Sequence, residues 1–455
     1  MSSSLVVIPK YEAYKDSGVE GLGEIPEHWR VKRFLNLFSF GKGLNITKEN
    51  LQDEGVPCVN YGEVHSKYGF EVNTDKHLLK CVSDDYLSSS KKSLLNFGDF
   101  VFADTSEDIE GSGNFTQLTS TENVFAGYHT VIARPVKGHN YRYLAYLFDS
   151  ITYRDQIRKR VKGVKVYTIS QAVLKNTFLW LPSDEEQTAI VAFLDRKTAQ
   201  IDQAVAIKEQ QIALLKERKQ ILIQNAVTRG LNPEAPMRDS GVEWIGQIPA
   251  HWEIRRVKHL FRLVMEPSEK NNDHELLSVY SDIGVKPRRE LEERGNKAST
   301  TDGYWLVRKG DIIVNKLLAW MGAIGLSNYD GVTSPAYDIL RPILPLEGYF
   351  YHLLFRSETS SAELKKHSRG IMDMRLRLYF DKFGVVYVPY PSKDEQTAII
   401  SYIEEESAKI DKAIDLQQQQ IDRLKEYKAT LINSAVTGKI KVPGVDENAQ
   451  VSEVA

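Results

Sequence analysis

The sequence predicts a mixed α/β (α+β) chain. Two globular blocks are separated by two long helices that form an antiparallel coiled coil, and the whole is an internal duplication with approximate twofold character. Three observations predict this. Two uninterrupted helical stretches, 182–229 and 391–437, match at one constant offset. A Gly-Pro-Trp segment ahead of each block recurs, and strand and helix landmarks inside the blocks recur in the same order.

The first block, with its leader, spans 1–181. Its opening 13 residues carry no clear pattern. Within 14–29 lies DSGVEGLGEIPEHW, repeated 223 residues later as DSGVEWIGQIPAHW within 237–252. Glycine, proline and tryptophan at these spacings read as a turn-rich clasp pinned by a buried aromatic ring. His28 and His251 recur with the clasp and read as structural. Gly21 departs from the repeat, since the second copy has Trp244.

Residues 30–181 mix short strand-like runs with turns. Phe97-Gly98-Asp99 leads into a strand, and residues 141–149 read as an aromatic-rich helix. The second block, 230–390 with its clasp, repeats these marks. Lys309-Gly310-Asp311 matches at an offset of 212, and Arg341-Pro342 matches Arg134-Pro135 at 207. A period this long excludes a solenoid and indicates duplication.

The helices at 182–229 and 391–437 hold no proline beyond Pro182 and Pro391 and no glycine. Ser183 with Glu186 forms a capping-box pattern. Apolar residues recur near a 3.5-residue step at Ile190, Leu194, Ile201, Val205, Ile212, Leu215, Leu222 and Ala226. The second helix repeats them at an offset of 209 as Ile399, Ile403, Ile410, Ile414, Ile421, Leu424, Leu431 and Ala435. The polar breaks also recur, Lys208 with Gln417 and Lys219 with Lys428. At ~1.5 Å per residue each helix would run roughly 65–70 Å. Because the clasp follows the first helix as well as opening the chain, the end of the second helix can lead back to the first block. Residues 438–455 have little pattern and are expected to form a frayed tail.

The chain carries 42% hydrophobic residues, a net charge of −2 and only two cysteines, Cys58 and Cys81. That cysteine count excludes a disulfide framework and a cysteine-rich zinc site, and it suits a reducing, cytoplasmic setting. No 18-residue apolar run offers a membrane span. Phosphate-loop, nucleophile-elbow, zinc-protease and calcium-loop motifs are all missing, as is an Asn-Pro-Pro-Tyr motif. No catalytic, metal or cofactor residue is therefore nominated. Gly41-Lys42-Gly43 reads as a turn.

Basic clusters are the better lead. Arg154, Arg158, Lys159, Arg160, Lys162 and Lys165 lie within one 12-residue stretch. The second block has Lys365, Lys366, Arg369, Arg375 and Arg377 at the corresponding place, with Gly370 matching Gly163. Residues 30–181 carry 20 Lys+Arg against 16 Asp+Glu, and residues 253–390 carry 21 against 18, so both blocks are mildly positive. Recurrence at matched places favours phosphate contacts on double-stranded DNA over a merely solvated helix face.

With its duplicated clasps, Gly-Asp strands, Pro-x-x-x-Glu-Gln-x-x-Ile helix starts and Ala-Val-Thr-x-Gly helix end, the chain resembles the specificity subunits of Type I restriction–modification enzymes, the HsdS family. The second helix end reads Ala435-Val436-Thr437-Gly438 and lacks the intervening residue. The resemblance implies two target recognition domains, each reading one half of a bipartite DNA site. It also implies that the coiled coil sets the spacing and docks two modification subunits. Those subunits would use S-adenosylmethionine, and restriction subunits would add ATP- and magnesium-dependent translocation and cleavage. This chain itself would be non-catalytic and bind no cofactor. Glu186, Gln187, Glu395 and Gln396 are the expected partner contacts. Three other readings stay open: a specificity subunit of a methylation-only or related two-part system, a coiled-coil adaptor that binds no DNA, and an enzyme with a cryptic site such as a fused methyltransferase.

Overall fold

The computed structural model describes residues 9–136, 140–163, 165–290, 300–370 and 375–445. It divides into two compact units, one made of residues 208–419 and the other of residues up to 207 with those from 420 onward. The division differs from the block-and-helix scheme. Each unit holds one block with part of both long helices, because the apolar seam of each helix segment is buried in the same core as the neighbouring block.

In the first unit the central sheet has five strands, in the order Phe38–Lys42, Thr130–Pro135, Phe100–Ala103, Phe115–Leu118 and Phe70–Val72. All neighbours are antiparallel except the last pair. Phe100–Ala103 is buried along its whole length, as a central strand covered on both faces must be. On one face Phe34, Phe38, Phe100, Phe115 and Phe148 form one aromatic cluster, with Phe34 stacked on Phe38 at 4.3 Å. The Gly-Asp and Arg-Pro landmarks lock this sheet. Asp99 accepts the Asn96 N–H at 2.8 Å, and Arg134 lies 3.6 Å from its carboxylate. In the second unit Arg341 grips Asp311 with two 2.8 Å hydrogen bonds.

The second unit's sheet runs Phe261–Val264, Tyr337–Pro342, Ile312–Asn315, Ile324–Leu326, all antiparallel. In both units a strand from the end of the block pairs with one just after the clasp. These pairs are Phe178–Leu181 with Arg30–Arg33, and Tyr387–Tyr390 with Glu253–Arg256. Each long helix therefore starts beside its clasp.

The long helices run Asp184–Arg229 and Lys393–Val436. In the first unit Ile190, Leu194 and Ile201 pack into the same core as Leu431 and Ala435, and Lys428 donates to Asp202 at 2.7 Å. In the second unit Lys219 donates to Asp411 at 2.7 Å and Lys208 to Gln417 at 3.1 Å. Numbering rises along one helix as it falls along the other, so these segments are antiparallel. The polar breaks in the seam thus pair with polar partners across it, which discourages register slips.

Residues 438–445 are not frayed. Val442 is buried, the Lys441 N–H donates to the Pro9 carbonyl at 2.7 Å, and the Tyr14 hydroxyl donates to the Gly438 carbonyl at 3.0 Å. Residues 446–455 lie outside the described residues. Gly438 has φ +70°, and a Cβ there would come within 2.3 Å of Pro26. Only glycine lets the helix end close on the clasp.

One partly buried imidazole makes the second unit sensitive to pH. His352 accepts the Leu326 N–H at 3.2 Å, stacks on Tyr349 at 5.1 Å and is approached by Gly325. Burial, with the Arg356 guanidinium beside it, pushes the imidazole down to about 4. The folded value lies below the unfolded ~6.5. The stabilisation is thus complete above pH ~6.5 and is lost as pH falls toward 4. Thermal melts should find the second unit about 2 kcal/mol less stable at pH 5 than at pH 7.5. His352→Gln should flatten that dependence; an unchanged slope would reject the assignment.

Candidate nucleic-acid interface

The Glu-Gln pairs at the helix starts, expected to meet partners, are used inside the chain. Glu186 is 2% exposed. Its carboxylate accepts from Tyr11 Oη at 2.6 Å and Trp29 Nε1 at 3.0 Å, and contacts His28 Nε2 at 2.8 Å. Burial and that carboxylate push the Tyr11 phenol above its ordinary range, so it stays a donor. Glu395 repeats the arrangement with Trp252 Nε1 at 2.8 Å and His251 Nε2 at 3.0 Å, although it is less enclosed. Gln187 donates to the Pro182 carbonyl at 3.0 Å and accepts from the Asn140 N–H at 3.3 Å. Gln396 does the same with Pro391 at 2.9 Å and Glu347 at 2.8 Å. In each unit these two side chains tie clasp, block and helix start together. The Glu of the Ser-x-x-Glu pattern is drawn to the tryptophan, while Ser183 and Ser392 still accept the cap N–H.

Among the basic residues, several are internally committed. Arg154 pairs with Asp149 at 2.9 Å and donates to Asn114 at 2.5 Å. Arg158 binds Asp155 and the Glu110 carbonyl, and Arg160 binds the Gln156 carbonyl at 2.7 Å. Lys159 reaches Glu20 of the clasp at 2.9 Å. Lys365 lies over the Trp320 ring at 4.7 Å, and Lys366 sits 3.3 Å from Glu363.

The remainder fall on one feature that recurs. After the helices Ile151–Arg158 and Glu358–His367 the chain forms a small hairpin, bridged Lys162 to Thr168 in the first unit and Arg369 to Arg377 in the second. Gly163 and Gly370 are needed there. A Cβ would sit 2.1 Å from the Val166 carbonyl oxygen or 2.5 Å from that of Arg375. Each hairpin is pinned to the segment after the central Gly-Asp strand by the same backbone bond: Ile169 N–H to Asp104 O at 2.7 Å, and Leu378 N–H to Lys316 O at 2.8 Å. Lys162, Lys165, Arg375 and Arg377 are exposed on these hairpins, without a side-chain partner among the described residues. Arg369 is exposed too, 3.6 Å from Asp381. Exposed cations on a braced hairpin suit a phosphate backbone, since their charge is not already neutralised.

The sequence did not point to the neighbouring segments. In the first unit Tyr61, His65, Glu107, Asp108, His129 and Val166 line a cleft of about 810 Å³ beside the hairpin. Its floor is braced by a polar chain: Asn114 Nδ2 donates to His65 Nδ1 at 2.8 Å, and His65 Nε2 donates to the Thr105 carbonyl at 2.8 Å. The signal that could have found this segment is its place immediately after the Gly-Asp strand. Among the described residues no group of His, Cys, Asp and Glu is placed to hold a metal. Nor is any helix there long and apolar enough to cross a membrane.

Comparison with known proteins agrees with this arrangement. Residues 26–217 match the family described as Type I restriction modification DNA specificity domain. A Methanocaldococcus jannaschii chain assigned as the MjaX Type I restriction enzyme specificity subunit is 22% identical over 92% of this chain and 96% of its own. The Escherichia coli EcoBI specificity subunit is 26% identical over 65% of each. Among solved structures, a chain from work on assembly and conformational transition of the type I R-M system aligns with TM-score 0.62 at 16% identity, covering 90% of this chain and 98% of that one. The HsdS subunit of Thermoanaerobacter tengcongensis aligns with TM-score 0.50 at 16% identity, over 91% and 98%. Residues 26–217 thus match a Type I restriction modification DNA specificity domain, and the likenesses to Type I specificity subunits extend over most of the chain.

Proposed function

We propose that this subunit supplies DNA recognition to its enzyme by reading an asymmetric, bipartite duplex target, one half per block, with the two long helices setting the interval between halves. The observation that supports this best is the recurring basic hairpin, braced identically in both units yet carrying different residues beside it. Lys162, Lys165, Arg369, Arg375 and Arg377 are the proposed phosphate and groove contacts. The other basic residues brace the helix that carries the hairpin.

Two modification subunits are the proposed partners, with restriction subunits joining them. The chain itself is proposed to be non-catalytic, leaving S-adenosylmethionine, ATP and magnesium to those partners. Because the Glu-Gln pairs are engaged within the chain, apolar side chains exposed on the helices are the proposed partner contacts in their place. Leu214, Ile221 and Leu416 are each more than half exposed, an arrangement that costs solubility unless a partner covers it. The test is genome-wide adenine methylation with the gene intact and deleted. Loss of one split, asymmetric motif is expected. An unchanged methylome, in cells where the partner genes are expressed, would reject the proposal.

A further inference from the structure

The segment pinned to each basic hairpin has opposite chemistry in the two units. In the first unit it carries the exposed carboxylates Glu107, Asp108 and Glu110. In the second it carries Leu317, Leu318 and Met321, which are 38%, 39% and 53% exposed. These apolar side chains are held in place rather than loose. Asn315 Oδ1 accepts the Leu317 N–H at 3.1 Å, and a tight turn closes through Leu318 N–H to Asn315 O and Met321 N–H to Leu318 O, each at 3.0 Å. Ala319 is buried beneath the turn, and Trp320 is covered by Lys365. Next to this apolar turn, through the Leu378–Lys316 bond, stand the exposed guanidinium groups of Arg377 and Arg375, without a side-chain partner among the described residues.

Solvent alone does not favour three large apolar side chains on a braced turn. An apolar surface flanked by arginine has a natural complement in the major groove. The thymine 5-methyl is the one apolar group on a base edge there, and guanine O6 and N7 are what arginine binds in pairs. Resting on the DNA-reading role proposed above, we infer that the second block reads its half-target with this edge: Leu317, Leu318 and Met321 contact a thymine methyl, and Arg375 or Arg377 contacts a neighbouring guanine. The carboxylates that dominate the first unit's edge make neither contact, and only Ile109, 39% exposed, offers an apolar side chain among them. The two half-targets therefore differ in chemistry as well as in order.

The experiment uses the full chain in complex with its modification subunits, on the duplex mapped by methylation. Each thymine in the second block's half is replaced in turn by deoxyuridine, which removes only the methyl, and each guanine by 7-deazaguanine, which removes only N7. At one thymine, binding should weaken about 3–5-fold, as expected for one buried methyl. At one guanine it should weaken by 5-fold or more. The triple variant L317S/L318S/M321S should bind the uridine and thymine duplexes equally, and R375A/R377A should be indifferent to 7-deazaguanine. Both variants should still discriminate the first half normally, which shows that they are folded. Tolerance of uridine at every position, or variants that retain the discrimination, overturns this inference while leaving the specificity role standing. If the intact complex selects no sequence at all, the specificity role fails and this inference with it.

Discussion

Replacing Trp29 with alanine will destabilise the first unit by about 3–5 kcal/mol, the range for removing a fully buried tryptophan. Trp29 is completely buried, and its indole N–H satisfies Glu186, itself buried and linked to Tyr11 and His28. Truncation would open a cavity and strip a donor from an enclosed carboxylate. The helix end at Gly438, which packs on Pro26 and Trp29, would lose its seat as well. Hydrogen exchange resolved along the chain is the measurement to make. Protection should fall in residues 9–207 and 420–445 and persist in 208–419. Trp252→Ala should do the reverse, because Trp252 closes on Glu395 and Gly230. Loss of protection in the wrong unit would mean that the clasps do not act where they sit.

Exchange of residues 30–181 for the matching block of another family member will change one half of the methylated motif completely and leave the other half and the interval untouched. The reasoning is structural. The first block's hairpin and its cleft lie wholly within the first unit, as do the clasp and helix segments that hold them. Methylation mapping in cells carrying the chimera reads the result directly. A motif altered in both halves, or an altered interval, would refute one-block-one-half reading.

The long-range organisation was legible from sequence because repetition exposes it. Seam residues such as Ile190 and Ile399 share one offset, and all described seam positions are at least partly buried. The Gly-Asp and Arg-Pro landmarks marked a salt-bridged turn in each block. The internal contacts of the helix-start Glu-Gln pairs were not legible for a definite reason. Two polar residues at a helix start look solvent-facing when the tryptophans that bind the glutamates lie about 140 to 160 residues away in sequence and the block N–H groups that bind the glutamines lie nearly 50 away. The internal ion pairs of the basic clusters were hidden for a similar reason. Arg154 and Arg158 are indistinguishable from Lys162 by composition, and only tertiary contacts show that their charges are already spent on Asp149 and Asp155. The tail was misjudged because Val442 has no helical or strand period, yet it is buried in the same core as Trp29 and Val436.

The way the first unit is assembled has a consequence for synthesis. Residues 208–419 form a continuous segment, so this unit can close while the ribosome is still extending the chain. The other unit needs residues from 420 onward to complete a core begun by residue 11, and Lys441 binds back to Pro9. It must wait, with its aromatic cluster partly uncovered, until residues 420–445 emerge. A prematurely terminated product would thus carry one finished reader and one unfinished, aggregation-prone one. Such products expose apolar surface of the kind that quality-control proteases seize, so half-specific readers would be removed before they could engage DNA.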